Sequence, residues 1–309
     1  MRQYVLNYYK DFKCTASKCR HTCCAGWRIT IDHETLGRYS SLESPYRDAL
    51  MNGIDLKRSV FRTDRSGRCA FLTEEGLCDI ITSLGEDSLC QVCRDHPRFR
   101  SYYDDRVEMG LGFTCEEAAR LILTYPDPII PILTTDDGEE TEPDFVQRTV
   151  LDFRHKALEL IRDRSIPIDV RIARLLTLSD ADIPTHEHRH ITRAFLRMER
   201  LDKSWSQRLR ATRHTPLLTH TDGSLSVPCE QFLVNSIYRH LDGTLDPTTA
   251  RAHTVATVIS WWLVNTLSHH GTPDISTLID TVRAYSSEIE YSDANLTRLY
   301  SLATRYVNV

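Results

Sequence analysis

The chain has 309 residues, of which 41% are hydrophobic and 26% charged, and its formal net charge at pH 7 is -5. These proportions are ordinary for a globular protein of one large or two smaller domains. A net negative charge argues against binding of nucleic acid through bulk electrostatics, so no nucleic-acid partner is predicted.

The first residues predict neither export nor membrane insertion. The stretch before Cys14 has no apolar run long enough for a signal peptide, and apolar patches such as 259–264 are too short to span a membrane. A cytoplasmic location without a membrane partner is therefore expected. In that compartment thiols stay reduced, so a cysteine-rich segment indicates metal binding or catalysis rather than disulfides.

Eight of the ten cysteines lie in the first third of the chain, in the pattern C-x4-C-x3-C-C, C-x8-C and C-x2-C. Thiolates bind soft metals, and four of them complete a zinc site or an iron–sulfur cluster. The remaining two, Cys115 and Cys229, are predicted to be small buried hydrophobes. The eight candidate metal ligands are Cys14, Cys19, Cys23, Cys24, Cys69, Cys78, Cys90 and Cys93.

The spacing favours an iron–sulfur cluster over zinc. Structural zinc sites usually use two C-x2-C pairs, and only Cys90 and Cys93 form one here. The adjacent Cys23 and Cys24 fit one tetrahedral ion poorly, whereas a cluster tolerates irregular spacing. One shared cluster, two clusters, zinc and disulfides remain alternatives. A shared cluster would tie 14–24 to 69–93 and make metal binding part of the folding free energy.

Short elements are predicted in the first third of the chain. Residues 1–13 are an aromatic lead-in expected to pack over the metal site, and the alternation of Trp27, Ile29 and Ile31 predicts a strand. The further predictions are short helices after Asp32 interrupted at Pro45 and Gly53, turns at Gly67 and Gly76, a helix from Ser88 that ends before Pro97, and a helix after Cys115.

Residues 134–143 are acidic and lack apolar side chains, which predicts a linker. The expected domains are a cysteine-cluster metal-binding domain at 1–133 and a helical domain at 144–309. Amphipathic helices are predicted at 146–161, 168–178, 190–212, 229–241, 252–268, 275–289 and 293–306. The predicted fold class is mainly α, an irregular cysteine-rich metal-binding N-terminal domain followed by a helical domain.

One of these predicted helices is strongly basic. Its ordinary interpretation is a solvated helix face, and the alternative is a docking surface for an acidic partner or substrate. The cations are Arg189, Arg193, Arg197, Arg200, Lys203, Arg208, Arg210 and Arg213.

The cysteine-containing stretches at 12–32, 69–98 and 115–123, with 232–238 and 285–296, resemble the flagellin lysine-N-methylase family. The first half is also similar to zinc- or iron-chelating cysteine-cluster proteins. The family resemblance implies methyl transfer from S-adenosylmethionine to lysine ε-amines of flagellin or a similar filament, and an iron–sulfur cluster, of the 4Fe-4S type, held by the N-terminal cysteines. The radical methyl-donor motif C-x3-C-x2-C is absent, because its third position falls on Gly26.

Methylation by a polar route needs a neutral amine, and the reference pKa of lysine is about 10.4. A general base is therefore expected, and His96, three residues after Cys93, is the predicted catalytic residue. Asp95 and Asp32 are further candidates, as are the tyrosines at 102 and 103. The alternative function is a non-enzymatic zinc or iron carrier, or a redox-responsive adaptor, with the helical half as a partner platform. No methyl-donor pocket or oligomeric state is predicted.

Overall fold

The computed structural model describes residues 1–136, 142–269 and 274–308. The strands in these residues are β1 (Arg2–Leu6), β2 (Ile54–Asp55), β3 (Val60–Phe61), β4 (Arg98–Tyr102), β5 (Arg106–Leu111) and β6 (Pro131–Asp136). The α-helices are α1 (His33–Ser40), α2 (Arg47–Asn52), α3 (Asp79–Leu84), α4 (Gln91–Asp95), α5 (Glu116–Leu123), α6 (Phe145–Arg162), α7 (Ile168–Leu178), α8 (His188–Leu196), α9 (Lys203–Thr212), α10 (Ser226–His240), α11 (Pro247–Ser268), α12 (Ile275–Tyr285) and α13 (Asp293–Thr304). The protein is mainly α, with 54% of the described residues helical when 3-10 and π turns are counted with the α-helices.

The chain forms two compact units. The cysteine unit is Lys13–Arg98, and the helical unit combines Met1–Phe12 with the chain from Phe99 onward. This division differs from the predicted boundary at 134–143, because β1, β5 and β6 share one sheet that belongs with the helices. Residues 134–136 of the predicted linker end β6, and 137–141 lie outside the described residues.

The sheet of the helical unit has the strand order β4-β5-β1-β6. β1 runs parallel to β5, with Tyr4 opposite Glu108, and antiparallel to β6. Beyond β1, the hydroxyl of Tyr8 donates to Asn235 on α10 and accepts the amide of Leu111 at 3.1 Å. The predicted aromatic lead-in therefore forms part of the helical unit's core and anchors α10 to the sheet.

Helices α10 and α11 form the centre of the helical unit. In α11 every residue from Ala252 to Ser268 is buried, which is the pattern of a helix covered on all sides. The ring of Phe232 on α10 stacks on Phe113 and contacts Trp261 and Tyr285. Within the described residues no helix is long and apolar enough to cross a membrane.

Most predicted helices are confirmed, and the differences have local causes. The predicted helix 190–212 is two helices, because Asp202 caps α9 by accepting the amide of Ser204 at 2.7 Å. The predicted helix 275–289 ends at Tyr285 and continues as a π-helical turn, Ser286–Glu290. The predicted strand at 27–31 is wrong: this segment forms only an isolated bridge at Thr30 to β3, whose two residues offer little to pair with.

A buried ion pair joins the sheet to α6. Arg154 donates two hydrogen bonds to Glu108 on β5, at 2.7 and 2.8 Å, and both side chains are almost fully buried. The guanidinium also lies over the rings of Tyr103 and Tyr238. Because neither charge is hydrated, the charge of Arg154 and the charge of Glu108 are each stabilised by the other.

We expect Glu108→Ala to lower the free energy of unfolding by about 3–5 kcal/mol, because Arg154 would remain buried and unpaired. Glu117→Ala is the matched control, since its partner Arg120 is half exposed and the change should cost about 1 kcal/mol or less. Chemical denaturation of both variants measures the difference. Equal losses would show that the buried pair does not stabilise the unit.

Candidate metal centre

The cysteine unit has its own small hydrophobic core, and cysteines form part of it. Cys69 and Cys90 are buried members of this core, and Cys24, Cys78 and Cys93 are partly buried and pack against it. The other buried members are Ile29, Ile31, Tyr39, Leu50, Ile54, Phe61, Phe71 and Ile80. Five of the eight predicted ligands, drawn from both cysteine groups, therefore converge on one core.

Backbone hydrogen bonds hold the two cysteine groups together. The amide of Cys69 donates to the carbonyl of Cys24 at 2.8 Å, and the amide of Gly26 donates to Gly67 at 3.1 Å. Gly26 and Gly67 both have positive φ, at 87° and 81°, which side-chain-bearing residues rarely adopt. These two glycines let the segment after Cys24 and the segment before Cys69 approach closely.

Backbone amides also point at three of the sulfurs. The sulfur of Cys69 accepts a hydrogen bond from the amide of Phe71, and that of Cys78 accepts one from Ile81. Cys90, the residue before α4, accepts amides from the first turn of that helix. Hydrogen bonds of this kind favour the thiolate form, which is the form that binds metals.

The sulfurs of adjacent cysteines interact in pairs. A hydrogen bond with Cys93 lowers the pKa of Cys90, and the same bond raises the pKa of Cys93. A hydrogen bond with Cys23 lowers the pKa of Cys24 to about 7, despite burial that opposes the charge. Each pair therefore has one sulfur that ionises readily.

The other two sulfurs of the core resist ionisation. Burial raises the pKa of Cys69 to about 11, and the negative charges of Cys24 and Cys78 add to that shift. Burial likewise raises the pKa of Cys78. Five sulfurs in one core cannot all become thiolates unless a positive charge joins them, and a bound metal deprotonates its thiols outright. The chemistry of this donor set fits a soft metal group.

The remaining three predicted ligands lie at the surface. Cys14 and Cys23 are exposed and Cys19 is partly exposed. The sulfur of Cys14 accepts the amide of Ala16 at 3.4 Å, and the thiol of Cys19 donates to the carbonyl of His21 at 3.3 Å. The eight cysteines thus divide into five at the core and three outside it. In the helical unit Cys229 is fully buried, as predicted, and Cys115 is partly buried.

No group of three or more histidine, cysteine, aspartate or glutamate side chains in residues 1–136, 142–269 and 274–308 is arranged to hold a metal ion. The five core sulfurs converge without forming the tight shell of a single ion.

His96 lies beside the Cys23–Cys24 loop. It directly follows α4 and is partly buried, and its ring centroid is 6.3 Å from that of Trp27. The indole of Trp27 donates to the carbonyl of Cys23 at 2.7 Å. The structure therefore places His96 beside Trp27, and the catalytic role of His96 stays a prediction.

Two of the other candidate bases have structural partners. The buried hydroxyl of Tyr103 donates to the carbonyl of Leu241 at 2.6 Å, within the helical unit. The carboxylate of Asp32 accepts the amide of Thr35 in α1 and that of Gln91 in α4, both at 2.9 Å. Asp32 thus caps α1, as its position predicted, and also the start of α4, 59 residues further on, which no sequence signal indicated.

Hydrogen bonds from these amides outweigh burial and lower the pKa of Asp32 to about 2. We expect Asp32→Ala to lower the free energy of unfolding of the cysteine unit by about 1–2 kcal/mol, since two helix starts lose an acceptor. Hydrogen exchange should accelerate in both α1 and α4. Asp48→Ala, in the exposed first turn of α2, is the control and should change stability by about 0.5 kcal/mol or less.

The same contact predicts a pH dependence. The folded pKa of Asp32 lies below the unfolded value of about 3.9, so its contribution is complete above that value and is lost as pH falls towards about 2. The difference in melting temperature between the wild type and Asp32→Asn should therefore shrink over this interval. A difference that stays constant would contradict the capping role.

The fold and the site define a two-unit, mainly α protein with a cysteine core in one unit. The chain is 31% identical to the flagellar biosynthetic protein FliU of Salmonella muenchen over 128 residues, which cover 39% of this chain and 76% of that protein. It belongs to the flagellin lysine methylase family.

Two proteins named lysine-N-methylase are also similar to the chain. That of Salmonella choleraesuis is 32% identical over 128 residues, and that of Salmonella typhimurium is 32% identical over 124 residues. These matches cover 39% and 38% of this chain, and 32% and 31% of the relatives, so the chain spans about a third of their length. No model of a protein family matches the chain, and no solved structure matches it significantly.

Proposed function

We propose that this protein is an S-adenosylmethionine-dependent methyltransferase that modifies lysine ε-amines of flagellin or a similar filament protein. The observation that carries this proposal is the similarity to two proteins named lysine-N-methylase and to a flagellar biosynthetic protein. The cysteine core supports it independently, because it provides the thiol donors that such an enzyme would use for an iron–sulfur cluster.

The cluster ligands in this proposal are four of the five core cysteines, Cys24, Cys69, Cys78, Cys90 and Cys93. They combine both cysteine groups, so bound metal would join the 69–93 segment to the loop at Cys24 and add to folding stability. When bound, the cluster would supply the positive charge that these buried thiolates need, and four thiolates would ligate all of its irons.

The protein's own residues serve the proton transfer of a polar reaction. The lysine nitrogen forms a bond to the methyl carbon, the bond from that carbon to the sulfonium sulfur breaks, and S-adenosylhomocysteine leaves. Lysine must first lose its ammonium proton, and in this proposal His96 accepts it. The ring of Trp27 borders His96, with the two ring centroids 6.3 Å apart.

We expect anaerobically purified, iron-loaded protein to transfer labelled methyl groups from S-adenosylmethionine to flagellin. Flagellin whose lysine amines have been chemically blocked is the control and should take up no label. His96→Ala should reduce kcat by about 100-fold or more while leaving the iron content unchanged, because only the proton acceptor is removed. Metal binding without any transfer would contradict the enzyme proposal and favour a metal carrier.

We also expect Cys69→Ser and Cys90→Ser to lose bound iron and sulfide, because both side chains are buried in the cysteine core. Cys14→Ser is the matched control and should retain them, since its side chain is exposed and lies outside that core. Iron and acid-labile sulfide per chain measure the outcome after anaerobic reconstitution. Equal loss in all three variants would overturn the assignment to the five core cysteines.

A further inference from the structure

Positive charge is concentrated on one segment of the helical unit, which comprises α8, the loop after it and α9. All eight cations of this segment are exposed, and none has a carboxylate within ion-pair distance among the residues that the structure describes. They constitute the basic surface and are Arg189, Arg193, Arg197, Arg200, Lys203, Arg208, Arg210 and Arg213. Only two acids, Glu199 and Asp202, lie in the same stretch of a chain whose net charge is -5.

The carboxylates near this surface have other partners. Glu187, before α8, accepts the hydroxyl of Tyr306 at 3.0 Å and contacts His190 at 3.2 Å. Asp202 caps α9. These carboxylates are therefore occupied by local hydrogen bonds, and the arginines remain available to an external anion.

The loop between α8 and α9 is held rigidly by the C-terminal part of the chain. The amides of Leu201 and Asp202 donate to the buried carboxylate of Glu288, at 2.9 and 2.6 Å. The side chain of Asn295 accepts the amide of Glu199 at 2.7 Å and donates to its carbonyl at 2.9 Å. The cations flanking this loop are thus displayed on a fixed backbone, which reduces the entropy lost on binding.

Two classes of anionic partner fit this surface poorly. The apolar side chains of α8 and α9, including Ile191, Phe195 and Leu209, are buried in the core, so they are not free to insert into a lipid bilayer. The segment's two aromatic residues, Phe195 and Trp205, are also buried, so no aromatic platform is exposed for stacking nucleic-acid bases.

An acidic protein surface is the partner that the composition fits. Seven of the eight cations are arginine, whose planar guanidinium binds carboxylates through paired hydrogen bonds. Arg298 of α13 donates to the carbonyl of Arg197 at 3.5 Å and adds a further exposed cation. Leu201, 62% exposed, offers an apolar contact in the loop between the two helices.

We propose that the basic surface on α8 and α9 docks an acidic segment of the protein substrate, away from the lysine that is methylated. This inference rests on the proposed function, since it assigns the surface to that reaction's substrate. A cationic target lysine would be repelled by the arginines, so the docking acids and the modified lysine must be separate features of the substrate.

The first test is independent of catalysis and uses labelled poly-L-glutamate. The variant Arg189→Glu with Arg193→Glu and Arg197→Glu should weaken binding at least about tenfold in fluorescence anisotropy, and added salt should weaken the wild type. The control reverses the same number of exposed charges in the same unit, at Arg148, Lys156 and Arg174, and should change binding by about twofold or less. Circular dichroism verifies that both variants fold.

The second test measures methyl transfer to flagellin, where the α8 variant should raise KM at least about tenfold and leave kcat unchanged. Unchanged poly-L-glutamate binding in the α8 variant would overturn the docking proposal, as would equal loss in the control. Tighter binding to a DNA oligonucleotide or to phosphatidylglycerol vesicles would also overturn it. Arginine-dependent binding of poly-L-glutamate in a protein that transfers no methyl groups would instead refute the proposed function and leave the acid-binding surface standing.

Discussion

The cysteine unit depends on the burial of sulfur. A segment of this size has little apolar surface to bury, and five cysteines contribute to its core, two as buried members and three packed against it. As thiols these side chains act as small hydrophobes, and as thiolates they repel one another. The same packing that completes the core therefore also creates a site for a cation. The burial of these sulfurs therefore links the fold to the candidate function. A bound metal would relieve the repulsion between the thiolates and would close the loop between Cys24 and Cys69.

The sequence predicted what local chemistry determines. Amphipathic spacing located α6, α7, α11 and α13 well, and acidic caps such as Asp32 marked the beginnings of helices. The turn predicted at Gly67 is also confirmed, because Gly67 has positive φ and accepts the amide of Gly26. These signals lie within a few residues of the features that they predict.

What the sequence did not predict depends on contacts between distant residues. The pairing of β1 with β5 and β6 joins residues more than a hundred positions apart, and it places the N-terminus in the helical unit rather than the cysteine unit. The same holds for the bond from Gln91 to Asp32 and for the separation of Cys14 from the core cysteines. Sequence spacing alone makes all eight cysteines equally good candidate ligands, because it does not show which of them are buried in the folded chain.

The pairing of β1 also imposes an order on biosynthesis. β1 leaves the ribosome well before β5 and has no partner until Arg106–Leu111 has been made, and the whole cysteine unit is synthesised in between. The cysteine unit contains its own hydrophobic core, so it can fold while β1 is still unpaired. The cysteine unit can therefore fold early, before the helices that follow enclose α10 and α11.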